Sequence, residues 1–143
     1  DRARASSLSA EAACHFLRAD DFPAGKLSAV GHAIAAHSFS AAIAPVTPEA
    51  RVLQDADRLE ALGAIGLARM FHVAGAMGGG LFDAADPMAL HRPLDDRAFA
   101  LDHIETKLLR IVETMQTAPG RAMAEERADW MLSFRTRLLS EIG

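Results

Sequence analysis

The segment Gln54-Asp55-Ala56-Asp57-Arg58-Leu59 sets two carboxylates and a guanidinium side by side in a stretch whose apolar residues recur at helical spacing. On an α-helix Asp57 falls about 40° from Leu53 and Ala61, and about 160° from Asp55. Asp57 is therefore expected on the apolar face, and Asp55 is expected to point outward or toward a neighbouring element. A carboxylate on a buried face is costly unless it is ion-paired, hydrogen-bonded or bound to a metal. The local residues leave two readings open: an internal salt bridge to an arginine of another helix, or a metal ligand.

The histidines extend this chemistry. His32 and His37 lie five apart, so about 140° separates them on a regular helix and they are not the i, i+4 pair that grips one zinc ion. They remain candidates for two walls of one cleft. His103 and Lys107 are i, i+4 neighbours, one offering a donor or general acid and the other a point charge for phosphate. The alternative for that pair is a solvated helix flank. His91-Arg92 before Pro93 is a candidate cationic rim, while His15 and His72 have no partner by spacing and read as structural. Cys14 sits among Ala12, Ala13, Phe16 and Leu17 and reads as a buried thiol rather than a nucleophile. No serine has the flanking glycines of a nucleophile elbow. Gly78-Gly79-Gly80 lacks the lysine of a phosphate-cradling loop and reads as a helix terminator.

These residues must be positioned by helices. A first helix is expected over 7–19, with Ser9 as its cap and Ala12, Ala13, Phe16 and Leu17 inward; Asp20-Asp21-Phe22-Pro23 breaks it. A second runs from about Pro23 through Leu27, Val30, Ile34 and Ala35 to His37, followed by a loop over 38–47. Thr47 as N-cap and Pro48 at the first position start a long third helix through Gly63, Gly66 and Gly75, where glycine implies a close approach or a break. An irregular connection over 81–94 leads to Asp95, the expected cap of a fourth helix with Leu101, Ile104, Leu108, Ile111, Val112 and Met115 inward. Pro119-Gly120 reads as a turn before a last helix that buries Met123, Trp130, Met131, Phe134 and Leu138. No strand survives beside these helices, so the class is all-α.

The bulk properties agree. The 143 residues, half hydrophobic and about a quarter charged, suffice for one domain with a real core. A net charge of −4 argues against a nucleic-acid polymer as partner. No apolar run approaches the ~18 residues of a membrane span. With one cysteine and no signal-peptide layout, a cytoplasmic location is expected.

Ala56-Asp57-Arg58-Leu59 resembles the final-aspartate motif of the HD-domain superfamily, which are helical metal-dependent phosphohydrolases. Further stretches resemble a bacterial single-domain subfamily: Ala36-His37-Ser38-Phe39-Ser40, Thr47-Pro48-Glu49-Ala50-Arg51 and Gly63-Ala64-Ile65-Gly66-Leu67-Ala68-Arg69. Leu81-Phe82-Asp83, His91-Arg92-Pro93-Leu94-Asp95-Asp96, Asp102-His103 and Lys107-Leu108-Leu109 continue the match. The resemblance spans essentially the whole chain and implies an HD-domain-like helical bundle of about five to six helices. It implies a divalent cation (Mn, Mg, Ni, Co or Zn) held by a first histidine, an adjacent His-Asp pair and a later aspartate.

Only that aspartate has a counterpart, Asp57, because no His-Asp dipeptide occurs in the sequence. The chain opens at Asp1-Arg2-Ala3-Arg4 almost directly into a helical pattern, so the other ligands and the N-terminal helices are expected upstream of Asp1. Under this resemblance Asp57 is a metal ligand, and His32, His37, Asp55 and Arg58 are cleft or supporting residues. His103 and Lys107 become phosphate contacts. The implied reaction is metal-assisted hydrolysis of a small phosphate ester, with a nucleotide as the leading substrate class. The competing reading is a catalytically inactive HD-like helical module that binds a nucleotide or a protein.

Overall fold

The computed structural model describes residues 2–38 and 41–142; Phe39 and Ser40 of the stretch that follows His37 lie outside it, as do Asp1 and Gly143. The described chain is all-α, as expected, and divides into two compact units, Asp1–Asp57 and Arg58–Gly143. Among the described residues no helix is long and apolar enough to cross a membrane.

In the first unit, α1 (Arg2–Ala19) and α2 (Ala24–His37) form a helical hairpin. Asp20-Asp21 turns the chain, with Asp21 in the left-handed region at φ 53°, and the Phe22 amide closes back onto the Leu17 carbonyl at 3.0 Å. Gly31 permits the close approach of the pair: a Cβ there would stand 2.9 Å from Cys14 Sγ. The thiol is half-buried and donates to the Leu27 carbonyl at 3.5 Å. Helix α1 begins several residues before the expected start, so Ser9 lies inside it rather than capping it. Among its described side chains Ser6 and Ala10 are buried, while Phe16 is 67% exposed. Spacing identifies a face, but the neighbour decides which face is covered.

Helix α3 (Pro48–Leu59) starts as expected: Thr47 Oγ1 accepts the Ala50 amide at 3.2 Å, and Pro48 occupies the first helical position. Ala33, Ala36 and Ala50 form a small core with Ile43 against it. Gln54 Nε2 donates to the Ala36 carbonyl at 2.7 Å, tying α3 to the last turn of α2.

The expected long third helix is two helices. After Leu59 the chain turns, and α4 (Gly63–Ala76) begins at Gly63, whose φ of +73° favours a residue without a Cβ. Gly66 then passes so near the turn that a Cβ would lie 2.1 Å from the Ala61 carbonyl oxygen. Met77 and Gly78 end α4, in agreement with the terminator reading of the glycine run. Residues 81–101 form an irregular loop closed at its base, where the Gly80 amide donates to the Ala98 carbonyl and the Ala100 amide to the Gly80 carbonyl (2.8 and 2.9 Å), and Asp102 and His103 are the helical residues that open the next element.

The expected fourth helix, α5, is irregular: a π-helical stretch Ile104–Leu108, a single α-helical turn Leu109–Ile111 and a 3-10 turn Val112–Thr114. Asp95 caps the preceding turn through the Arg97 and Ala98 amides, both at 3.1 Å, and not the helix itself. Helix α6 (Ala118–Ile142) includes Pro119-Gly120 in its first turn, because Thr117 Oγ1 accepts the Gly120 amide at 3.0 Å and serves as the cap. The core of this unit centres on Leu62, Ile104 and Met131. Met123 and Trp130 are exposed, and Ala124 and Ala128 take the buried α6 positions instead.

Candidate metal ligand and surrounding side chains

Asp57, expected on the apolar face, is not covered, whereas Asp55, expected to point outward or toward a neighbouring element, is buried. Asp55 is 3% exposed, whereas Asp57 is on the exposed side of α3. Leu53 shares that side with Asp57 as the spacing requires, and it too is 40% exposed. The shared face is real, but within the described residues it is not the covered one. Among those residues the Asp57 carboxylate has no hydrogen-bond or ion-pair partner, so the salt-bridge reading has no partner to name.

The two histidines of α2 are both held by backbone groups, with opposite consequences. His32 Nε2 accepts the Val46 amide at 3.1 Å, which occupies its lone pair and leaves the proton on Nδ1. His32 thereby anchors the loop before α3 and has no lone pair left for a cation. His37 Nδ1 donates to the Ile34 carbonyl at 2.5 Å, which leaves the Nε2 lone pair available. A ring held at one nitrogen by a carbonyl and open at the other is the arrangement common to metal-ligating histidines. Among the described residues no three His, Cys, Asp or Glu side chains converge as a metal cluster.

In the second unit Arg58 donates to the Thr114 carbonyl and so links the end of α3 to α5. Lys107 is exposed. His103 is not a free flank residue: its Nδ1 donates to Asp96 Oδ2 at 2.9 Å, and Thr106 Oγ1 donates to the same oxygen at 3.1 Å. The His103 bond, followed by that of Thr106, holds the Asp96 carboxyl below the ordinary range.

Arg92, a candidate for a cationic rim with His91, is tied into the loop by an ion pair. Its guanidinium makes a bidentate pair with Asp102 (2.6 and 2.9 Å), a carboxylate with 1% side-chain exposure. It also lies 4.7 Å from the centre of the Phe99 ring and bonds the Asp86 carbonyl. Asp102 accepts the Asp95 amide as well, at 2.7 Å. The bond to Asp102 raises the Arg92 pKa. Asp83 and Asp86 brace the same loop, and each is held below the usual carboxylate range by two backbone amides, Asp86 and Ala85 for the first, His91 and Leu90 for the second. The Arg92–Asp102 clasp was missed from sequence; the one signal for it was an apolar helix pattern carrying Asp102 beside buried Leu101.

The HD domain profile matches residues 4–62, a span that includes most of α1, all of α2 and the whole Asp57 motif. YpgQ of Bacillus subtilis (strain 168) is 41% identical over 98 residues, which make up 68% of this chain and 42% of that protein. The crystal structure of YpgQ in complex with ADP superposes with a TM-score of 0.72 at 33% identity, covering 92% of this chain and 61% of that one. An HD-superfamily hydrolase from Bacillus thuringiensis gives a TM-score of 0.74 at 30% identity, again covering 92% of this chain and 61% of its own. The chain thus spans about two fifths to three fifths of the length of these relatives.

Proposed function

The chain belongs to the HD-domain superfamily, a family of hydrolases, and on that premise we propose that it forms part of a divalent-metal-dependent phosphohydrolase acting on a nucleotide or another small phosphate ester. The observation that carries the reading is Asp57: a carboxylate in the superfamily's motif, on the exposed side of α3 and without a protein partner among the described residues. A carboxylate so placed can donate to a hard cation without first breaking an ion pair. His37, with Nδ1 donated to a carbonyl, is the next candidate ligand or phosphate contact. His32 is assigned to loop anchoring, and Asp55 and Arg58 to support of α3.

The residues of this chain fit a metal only in part, because one or two ligands do not make a site. The reading therefore requires further ligands beside Asp57 and His37. A nucleotide is favoured as substrate because YpgQ has been crystallised with ADP, and His103 and Lys107 are the candidate phosphate contacts. The test is hydrolysis of a nucleotide panel by the intact protein with manganese, magnesium, nickel, cobalt or zinc. Cation-dependent turnover that Asp57→Ala abolishes is the expected result. Undiminished turnover in the Asp57→Ala protein refutes the assignment.

A further inference from the structure

The side-chain cluster on the flank of α5 contains more than the two residues suggested by spacing. Asp96 Oδ2 accepts two hydrogen bonds at once, from His103 Nδ1 at 2.9 Å and from Thr106 Oγ1 at 3.1 Å. The second bond fixes the carboxylate that fixes the ring. With Nδ1 acting as donor, the imidazole is restricted in both orientation and tautomer, and its side chain is 25% exposed. Nε2 has no protein partner among the described residues. Lys107 lies on the same helix, exposed and without an ion-pair partner among those residues.

We propose that Asp96 is a positioning residue, backed by Thr106, that holds His103 so that Nε2 meets a phosphate oxygen of the nucleotide. This rests on the nucleotide reading above and deepens it, since it names what presents the phosphate contact. When Nδ1–H donates to Asp96 and Nε2–H donates to phosphate, the ring is the imidazolium and the Asp96 carboxylate balances its charge. Both bonds are then charge-assisted, the strong class of hydrogen bond. Lys107 adds a point charge that requires no fixed geometry. Among the described residues the Asp96 carboxylate accepts from the His103 and Thr106 side chains and caps no backbone amide.

The test uses the intact protein, with ADP as the probe and side-chain nitrogen NMR of His103 as the readout. The wild-type ring is expected in the Nδ1–H form, with its Nε2 resonance shifting on addition of ADP. In Asp96→Ala the free ring is expected to populate both tautomers, and ADP affinity to fall roughly fivefold, the loss of about one net hydrogen bond. Thr106→Val is expected to give a smaller change in the same direction, and Asp96→Glu to restore part of the affinity. Unchanged helical content in each variant confirms that folding is intact. If the wild type binds ADP and turns over nucleotides while His103 stays unmoved and Asp96→Ala binds ADP normally, the positioning role is overturned and the nucleotide reading stands. If the wild type neither binds ADP nor turns over any nucleotide, the positioning role falls with that reading.

Discussion

Replacing Gly66 by alanine and replacing Gly75 by alanine should have opposite effects on stability, although both glycines lie on α4. A Cβ at Gly66 would lie 2.1 Å from the Ala61 carbonyl oxygen and 2.4 Å from its carbon, where ordinary contact begins at 3.4 Å. The obstacle is backbone, so no rotamer change relieves it, and the turn joining α3 to α4 must move by about 1 Å. Overpacking of this kind costs up to about 3 kcal/mol. The higher helix propensity of alanine returns about 1 kcal/mol. Gly66→Ala should therefore lose about 2 kcal/mol. A Cβ at Gly75 meets nothing within 4 Å, so Gly75→Ala should gain about 0.5–1 kcal/mol from helix propensity and the lower entropy of the unfolded chain. Urea denaturation of both variants beside the wild type measures the two signs. A Gly66→Ala protein as stable as the wild type would refute the argument that this turn is sterically closed.

Asp102→Ala leaves two guanidinium donors and the Asp95 amide without their shared acceptor. Amide exchange should accelerate through residues 81–101 and stay unchanged in α1 and α2; uniform acceleration across the chain would contradict a local clasp. Acid should loosen the same loop. Folding lowers the pKa values of Asp83, Asp86 and Asp96, so below the unfolded value the unfolded chain binds more protons than the folded one. Their contribution is complete above about pH 4 and is lost as the pH falls through the lowered folded values. A denaturant midpoint that is flat from pH 7 to 5 and declines below 4, with a shallower decline in Asp86→Ala, is the expected profile. A midpoint that rises on acidification has the wrong sign.

Much of the helical framework is legible in the sequence, because its signals are local. Thr47-Pro48 starts α3, Pro23 precedes α2, and the glycine run after Met77 ends α4, each through backbone chemistry that acts within a few residues. The break between α3 and α4 was half legible. Gly63 and Gly66 implied either a break or a close approach, and the chain uses the first for one and the second for the other. Periodicity correctly put Asp57 and Leu53 on one face, but it carries no information on whether another element covers that face. The same limit explains Phe16, Met123 and Trp130, apolar residues at inward-reading positions that are exposed. The Arg92–Asp102 pair joins an irregular loop to the start of α5, and no period or motif connects such positions. Likewise the π-helical stretch in α5 has a pattern of apolar residues that an α-helix would share.

The central claim is that Asp57 is a metal ligand, and calorimetric titration of manganese into the metal-stripped intact protein tests it most directly. The wild type should bind with defined stoichiometry. Asp57→Ala should weaken binding by more than the roughly tenfold to hundredfold that changes around a metal's direct ligands cause, with the helical spectrum unchanged. Binding of the same stoichiometry and affinity in Asp57→Ala would contradict the account.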